Sequence, residues 1–190
     1  MTALLGVLDA NVLYPASLRD LLIQTAFDGL FQARWTIAIE EEWARNLLAT
    51  RPDLGERIGR AQLAMRRALP DALISGYEPL IADLALPDPD DRHVLAAAIA
   101  AGADVIVTFN LRDFPAAVLA ARGIEALSPD AFLRSFAMAT SRRLLASARA
   151  CFGRLNQPRV VVADYLAALR RLGLHDTADF LAANERDWAG

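Results

Sequence analysis

Residues 88–114, DPDDRHVLAAAIAAGADVIVTFNLRDF, decide the fold. Asp88 can act as an N-cap, Pro89 suits the first helical position, and Gly102 can close the helix at C′. Val94, Leu95, Ala98 and Ile99 mark the buried side of that helix. The run that follows, Asp104–Thr108 (DVIVT), is β-branched and apolar, as in a strand covered on both faces. A capped helix leading straight into such a strand is half of a βαβ unit. The same alternation extends in both directions. Residues 4–8 form a short apolar strand, 16–31 a helix through Leu18, Leu22, Ala26 and Leu30, and Trp35–Ile37 a second strand. Helices follow at 39–49 and 53–69, the latter closed by Pro70. Residues 71–87 read as irregular, with a short strand near Leu73–Ser75. Downstream come a helix at 113–122, a break at Gly123 and a strand at 124–127. Strands alternating with helices predict an α/β domain with a central, mostly parallel sheet.

From Pro129 the pattern is helical only, at 129–138, 139–152, 158–172 and 176–185, with Pro158 and Gly173 as breaks. The expected organisation is an α/β domain over residues 1–136 and a helical C-terminal extension over 137–190 that packs against it.

The 190 residues are 55% hydrophobic, enough for one solid core. No apolar run approaches the ~18 residues of a membrane span, and no basic segment precedes an apolar stretch at the N-terminus. Cys151 is the single cysteine, so no internal disulfide forms, and a reducing cytoplasm suits the chain. All twenty basic residues are arginine. Residues 1–133 carry eleven arginines and eighteen acids, net −7, whereas 134–171 carry eight arginines and one acid, net +7. An acidic front and a basic tail suit a metal centre beside a phosphate-binding arm. Arg142, Arg143 and Arg149 are the candidates for that arm. The simpler alternative is a solvated helix face.

In an open parallel sheet, ligands bind at the carboxyl ends of strands where the order reverses. Asp9 follows the first strand, and Asn110 and Asp113 follow DVIVT, so both groups project from one edge. On the 39–49 helix, Ile39, Trp43 and Leu47 form an apolar stripe. Glu42, Arg45 and Asn46 share the neighbouring face, with Glu40 and Glu41 pointing elsewhere. Asp90 and Asp91 stand in the first turn of the next helix, where the dipole already welcomes carboxylates. Asp91 faces its buried side, while His93 reads as a surface residue. Four carboxylates at one edge, Asp9, Glu42, Asp91 and Asp113, repel one another unless a cation offsets them. An all-oxygen donor set without cysteine suits Mg²⁺ or Mn²⁺ rather than zinc. Such sites commonly serve phosphodiester hydrolysis. The chain has no lysine for a Walker A loop, no GxSxG and no GxGxxG. An aspartyl-phosphate mechanism would want a second Asp at position 11, where Asn11 stands.

The segments LDANVL, EEEWARNL, DPDDRHVLAAAIAAGADVIVTFNLRDFP and GIEALSPDAFL, spanning about residues 4–136, resemble the PIN-domain nucleases, the family that includes the VapC toxins. The resemblance implies a three-layer α/β/α sandwich, dependence on Mg²⁺ or Mn²⁺, and RNA cleavage. It places the family's first acid on Asp9, the helix glutamate on Glu42 and the third acid on Asp91. Many relatives carry an Asp two residues after the strand's threonine, where this chain has Asn110. Either Asp113 supplies the fourth carboxylate or the Asn110 amide takes that place more weakly, and one or two ions are possible. Asn11 matches a supporting polar position, with Asp88 and Asp90 as caps or supports. The tail, with NQPRVVVADYLAALRRLGLHDTADFLA, resembles the helical extension of a larger VapC-like subgroup. The resemblance further implies a possible antitoxin partner and a possible homodimer.

The expected function is a metal-dependent endoribonuclease, the toxin of a toxin–antitoxin pair. Its alternative is a catalytically weak PIN-like module that binds RNA or a partner. A third expectation is a nuclease acting on DNA.

Overall fold

Five strands pair side by side, all parallel, in a computed structural model that describes residues 4–155 and 160–189. They are β1 (Leu5–Leu8), β2 (Gln32–Thr36), β3 (Leu73–Ile74), β4 (Val105–Val107) and β5 (Glu125–Leu127). The helices begin with α1 (Ala10–Leu13), α2 (Ala16–Phe27), α3 (Ile37–Thr50), α4 (Gly55–Ala68), α5 (Arg92–Ala101) and α6 (Ala116–Ala120). They continue with α7 (Pro129–Ala139), α8 (Ser141–Gly153), α9 (Val162–Arg171), α10 (His175–Ala183) and α11 (Glu185–Trp188). The strand order β3-β2-β1-β4-β5 runs outward from β1 in one direction, then crosses back. Right-handed crossovers put the helices of the two halves on opposite faces, which makes the three-layer α/β/α sandwich. The order reverses between β1 and β4, where Val7 lies opposite Ile106. The mostly parallel sheet expected from sequence is parallel throughout its described strands.

Burial explains why these segments form. Val7, Leu8 and all of β4 are buried, as two-sided strands must be. Residues Val94–Ala98 of α5 are fully enclosed, so the helix facing the sheet is apolar nearly all round. Gly102 ends it in the left-handed region, at φ 62°, where the glycine lacks a Cβ to clash. Gly6 in β1 is held small by packing: a Cβ there would come within 3.2 Å of Val105 Cγ1.

Several boundaries differ from the sequence reading, each for a local reason. The 39–49 helix starts earlier, at Ile37, because Thr36 Oγ1 accepts from the Ile39 N–H at 3.1 Å and caps it there. The expected 113–122 helix is divided into a 3₁₀ turn at Leu111–Asp113 and α6. Pro115 lies between them, without an N–H and restricting Phe114. A 3₁₀ segment at Glu78–Asp83 occupies part of the stretch read as irregular. The 158–172 helix begins at Val162 among the described residues, and the expected break at Pro158 lies outside them.

The C-terminal helices close over the sheet through aromatic packing. Phe31, just before β2, meets Phe132 of α7 edge-on at 4.8 Å, and Phe132 meets Phe136 at 5.1 Å. Farther along, Phe152, Tyr165 and Trp188 cluster within 5.9 Å of one another. Asp130 of α7 accepts from the Asp176 and Thr177 N–H groups at 2.9 and 2.8 Å, capping α10 from another helix. Asp130→Ala should therefore lower the melting temperature by about 2–4 °C, the effect of losing a cap of about 1 kcal/mol. Differential scanning calorimetry reads this directly, and an unchanged Tm would show that α10 is held by packing alone.

Candidate metal centre

Each acidic side chain reaches the switch-point edge through its own element. Asp9 is the residue after β1 and is nearly fully buried, at 3% exposure. Its Oδ2 accepts from Thr108 Oγ1 and from Asn11 Nδ2, both at 2.6 Å. Thr108 closes β4, and its hydroxyl is fully used. It donates to Asp9 and accepts from Asn11 Nδ2 at 2.9 Å and from the Asn110 N–H at 3.0 Å. Asn11 Oδ1 in turn accepts from the Phe109 N–H at 3.1 Å. This network ties the ends of β1 and β4 together and brings Asn11 into contact with Asp9. Burial pushes the Asp9 carboxyl above its usual range, the Thr108 hydrogen bond opposes that shift, and the Glu42 charge adds to it.

Glu42 stands on α3 beside the buried Ile39 and Trp43, as the helical spacing predicts. His93 Nε2 lies 3.3 Å from Glu42 Oε2, while His93 Nδ1 is buried without a partner. The reading of His93 as a surface residue is thereby corrected. The 3₁₀ turn Pro89–Asp91 precedes α5, which begins only at Arg92, so the histidine faces α3. Glu40 does point elsewhere, fully buried and accepting from Arg66 Nε and Trp35 Nε1, but Glu41 does not: it lines the same groove as Glu42.

Asp91 ends that 3₁₀ turn, which Asp88 caps by accepting from the Asp90 N–H at 2.9 Å. Its Oδ2 is buried with no hydrogen-bond partner. Burial, with the charges of Asp9, Asp88, Asp113 and Glu42, pushes its carboxyl up to about 7. Asp113 follows β4 in the Leu111–Asp113 turn, its side chain 13% exposed and 3.7 Å from Arg112 Nε. Asn110 is exposed, and Asp90 lies exposed on the rim. An open groove of about 470 Å³ leads along α3 into this edge, lined by Glu41, Glu42, Arg45, Asn46, Asp91 and His93. A cavity of about 770 Å³ between α2, α4 and the tail is lined by none of the four acids. Charge, not cavity size, locates the site.

Do these residues fit a hard divalent ion? Among the described residues, no three His, Cys, Asp or Glu side chains are drawn into a ligating cluster, so the acids are neighbours rather than a closed cage. The chemistry nonetheless fits. A buried carboxylate oxygen without a donor, under pressure from four other carboxylates, is the arrangement that a cation relieves.

The tail arginines are placed differently. Arg143 Nη2 donates to the Asp28 carbonyl, beyond the end of α2 that leads into β2, which is the edge of the sheet opposite the acids. Arg142 and Arg149 lie exposed on the same helix, α8. The residue that sequence reasoning passed over is Thr108, visible only as the last position of a β-branched run. Thr108→Val removes the donor to Asp9 and the acceptor for two N–H groups. It should weaken Mn²⁺ binding about 10- to 100-fold, the usual cost of losing a group that orients a ligand. Titration followed by the metal-induced rise in Tm measures this, and wild-type affinity in the variant would contradict it.

Residues 6–112 match the PIN domain family. A relative in Mycobacterium tuberculosis, "Putative ribonuclease VapC50", is 45% identical over 82 residues, covering 43% of this chain and 48% of that protein. The chain thus spans about half the length of the curated relative it matches. No solved structure matches the chain. No helix among the described residues is long and apolar enough to cross a membrane. The family match covers more than half of the chain, including β1, the acidic helix and the β4 edge, and the chain belongs to the PIN domain family.

Proposed function

We propose that this PIN-domain chain is a ribonuclease that hydrolyses RNA phosphodiester bonds with Mg²⁺ or Mn²⁺, and that it is the toxin of a toxin–antitoxin pair. The observation that carries the reading is Asp91: a carboxyl lifted to about 7 by burial and by four neighbouring acids, with a buried oxygen that no group among the described residues satisfies. The name of the mycobacterial relative supports ribonuclease chemistry over other uses of an acidic edge. Asp9, Glu42, Asp91 and Asp113 would hold the ion, with Asn11 and Thr108 fixing Asp9, and Asn110 and Asp90 at the rim. Bound there, the ion supplies charge stabilisation for the phosphate and lowers the pKa of the attacking water. The chain's own contribution is orientation. Thr108 and Asn11 leave Asp9 one conformation, and His93 holds Glu42 toward the groove. An antitoxin partner and a homodimer belong to the same reading.

The second reading, a PIN-like module that binds RNA or a partner with little cleavage, is favoured by one observation: position 110 is Asn and exposed. Incubating the protein with single-stranded RNA and DNA pools, with Mn²⁺ and then with chelator, separates the readings. Cleavage of RNA that requires both the metal and Asp9 supports the ribonuclease. RNA retention without cleavage supports the module, and preference for DNA overturns the choice of substrate.

A further inference from the structure

Among the described residues, one cation in the groove makes no ion pair. Arg45 lies on α3 three residues after Glu42 and, with Asn46, lines the groove that leads to Asp91 and His93. It is exposed and makes no ion pair among the described residues, although Glu41 and Glu42 stand one turn earlier on the same helix. Several arginines elsewhere are engaged. Arg66 bonds Glu40, Arg51 bonds Asp53, Arg154 bonds Asp20, and Arg19 lies 4.5 Å over the Trp43 ring. Arg143, on the basic tail, is committed to the Asp28 carbonyl.

This arrangement bears on a problem that the site itself creates. Four carboxylates repel a polyanion, and the acidic first two-thirds of the chain adds to that field. A substrate strand approaching along α3 meets the Arg45 guanidinium in the groove beside the acids, with the Asn46 amide next to it. A planar guanidinium on a rigid helix suits two-point contact with a phosphate.

We infer that Arg45, assisted by Asn46, binds a backbone phosphate of the RNA strand next to the one cleaved, in place of the tail arginines. The inference rests on the ribonuclease reading, and the test keeps the two apart by measuring binding separately from cleavage. Fluorescein-labelled single-stranded RNA is titrated onto Asp9→Asn protein with and without Arg45→Ala, Arg45→Lys or Arg142→Ala/Arg149→Ala, across a salt series. Losing one charge-assisted phosphate contact should weaken binding roughly tenfold for Arg45→Ala. It should also reduce the slope of log K against log salt by about 0.7. Arg45→Lys should recover part of the affinity and all of the slope, and the double tail variant should bind normally. In the Asp9-intact protein, Arg45→Ala should raise KM by a similar factor while leaving the Mn²⁺-induced rise in Tm in place. An Arg45→Ala protein with unchanged affinity and salt slope overturns the inference, as does loss of affinity in the tail variant alone. RNA bound through Arg45 but never cleaved by the unsubstituted chain would leave the inference standing and remove the ribonuclease reading. RNA not bound at all would remove both.

Discussion

The metal-free Asp91→Asn protein should melt about 2–4 °C above the unsubstituted chain at pH 8, and Mn²⁺ should no longer raise its Tm. Both effects come from the same oxygen. At pH 8 the Asp91 carboxyl, with its pKa at about 7, is ionised beside Asp9, Asp88, Asp113 and Glu42. The residue is only partly buried, so screening reduces the cost to roughly 1 kcal/mol, which the neutral amide removes. The pH dependence follows with a definite sign. In the unfolded chain Asp91 loses its proton near the ordinary carboxyl value of 3.8, and in the folded chain near 7. Between those values the folded state holds a proton that the unfolded state lacks, so metal-free stability falls as pH rises from about 4 to about 7. Asp9, also raised, acts in the same direction. Asp91→Asn should flatten most of that slope. Metal binding runs the opposite way, because the ligand must be deprotonated, so apparent Mn²⁺ affinity should weaken about tenfold per pH unit below about 7. A thermal melt series from pH 5 to 8, with and without Mn²⁺, reads all of this. A variant less stable than the parent at pH 8 would show that Asp91 is not under the pressure inferred here.

Asp9→Asn should reduce RNA cleavage by a factor of ~10³ or more, since losing ~4 kcal/mol of transition-state stabilisation costs that much in rate. The change is almost isosteric. The remaining amide oxygen can still accept from Thr108 Oγ1 and Asn11 Nδ2, which both use Oδ2. The buried position also gains by losing a charge. The Tm of the metal-free variant should therefore be equal or higher, which separates loss of chemistry from loss of fold. Residual cleavage above about one-tenth of wild type would place the reaction on other residues.

How much of this was legible in sequence depends on the range of the interaction. The end of the 92–101 helix, the β-branched strand after it and the Pro129 helix start are set by nearest neighbours such as a left-handed glycine and a proline. Their positions come through with small shifts. The helix start expected at Pro89 is instead a 3₁₀ turn capped by Asp88, with α5 beginning at Arg92. Where one residue competes with the periodic pattern, the reading slips. Pro115 divided an apparent helix, and Thr36 moved a helix start two residues upstream. Asp9, Glu42, Asp91 and Asp113 could be singled out because carboxylates at strand ends and helix starts are conspicuous against an apolar background. Thr108 could not. A threonine ending a β-branched run looks like any strand residue until β1 is known to lie alongside β4 in register, with Leu8 opposite Val107. His93 failed for a related reason: a single 3₁₀ turn changes which way the next residue faces, and helical phase does not reveal it.

By itself the sequence determined the α/β alternation and the acidic character of one strand edge, because those depend on composition and on spacing along the chain. The tertiary structure alone decided which arginines stand near that edge. Charge counted along the chain favoured the tail, yet Arg143 is held at the far end of the sheet while Arg45 lines the groove beside Asp91. The reason is that electrostatic range is about 10 Å in space, and residues separated by tens of positions come within that distance only after the sheet has set its strand order.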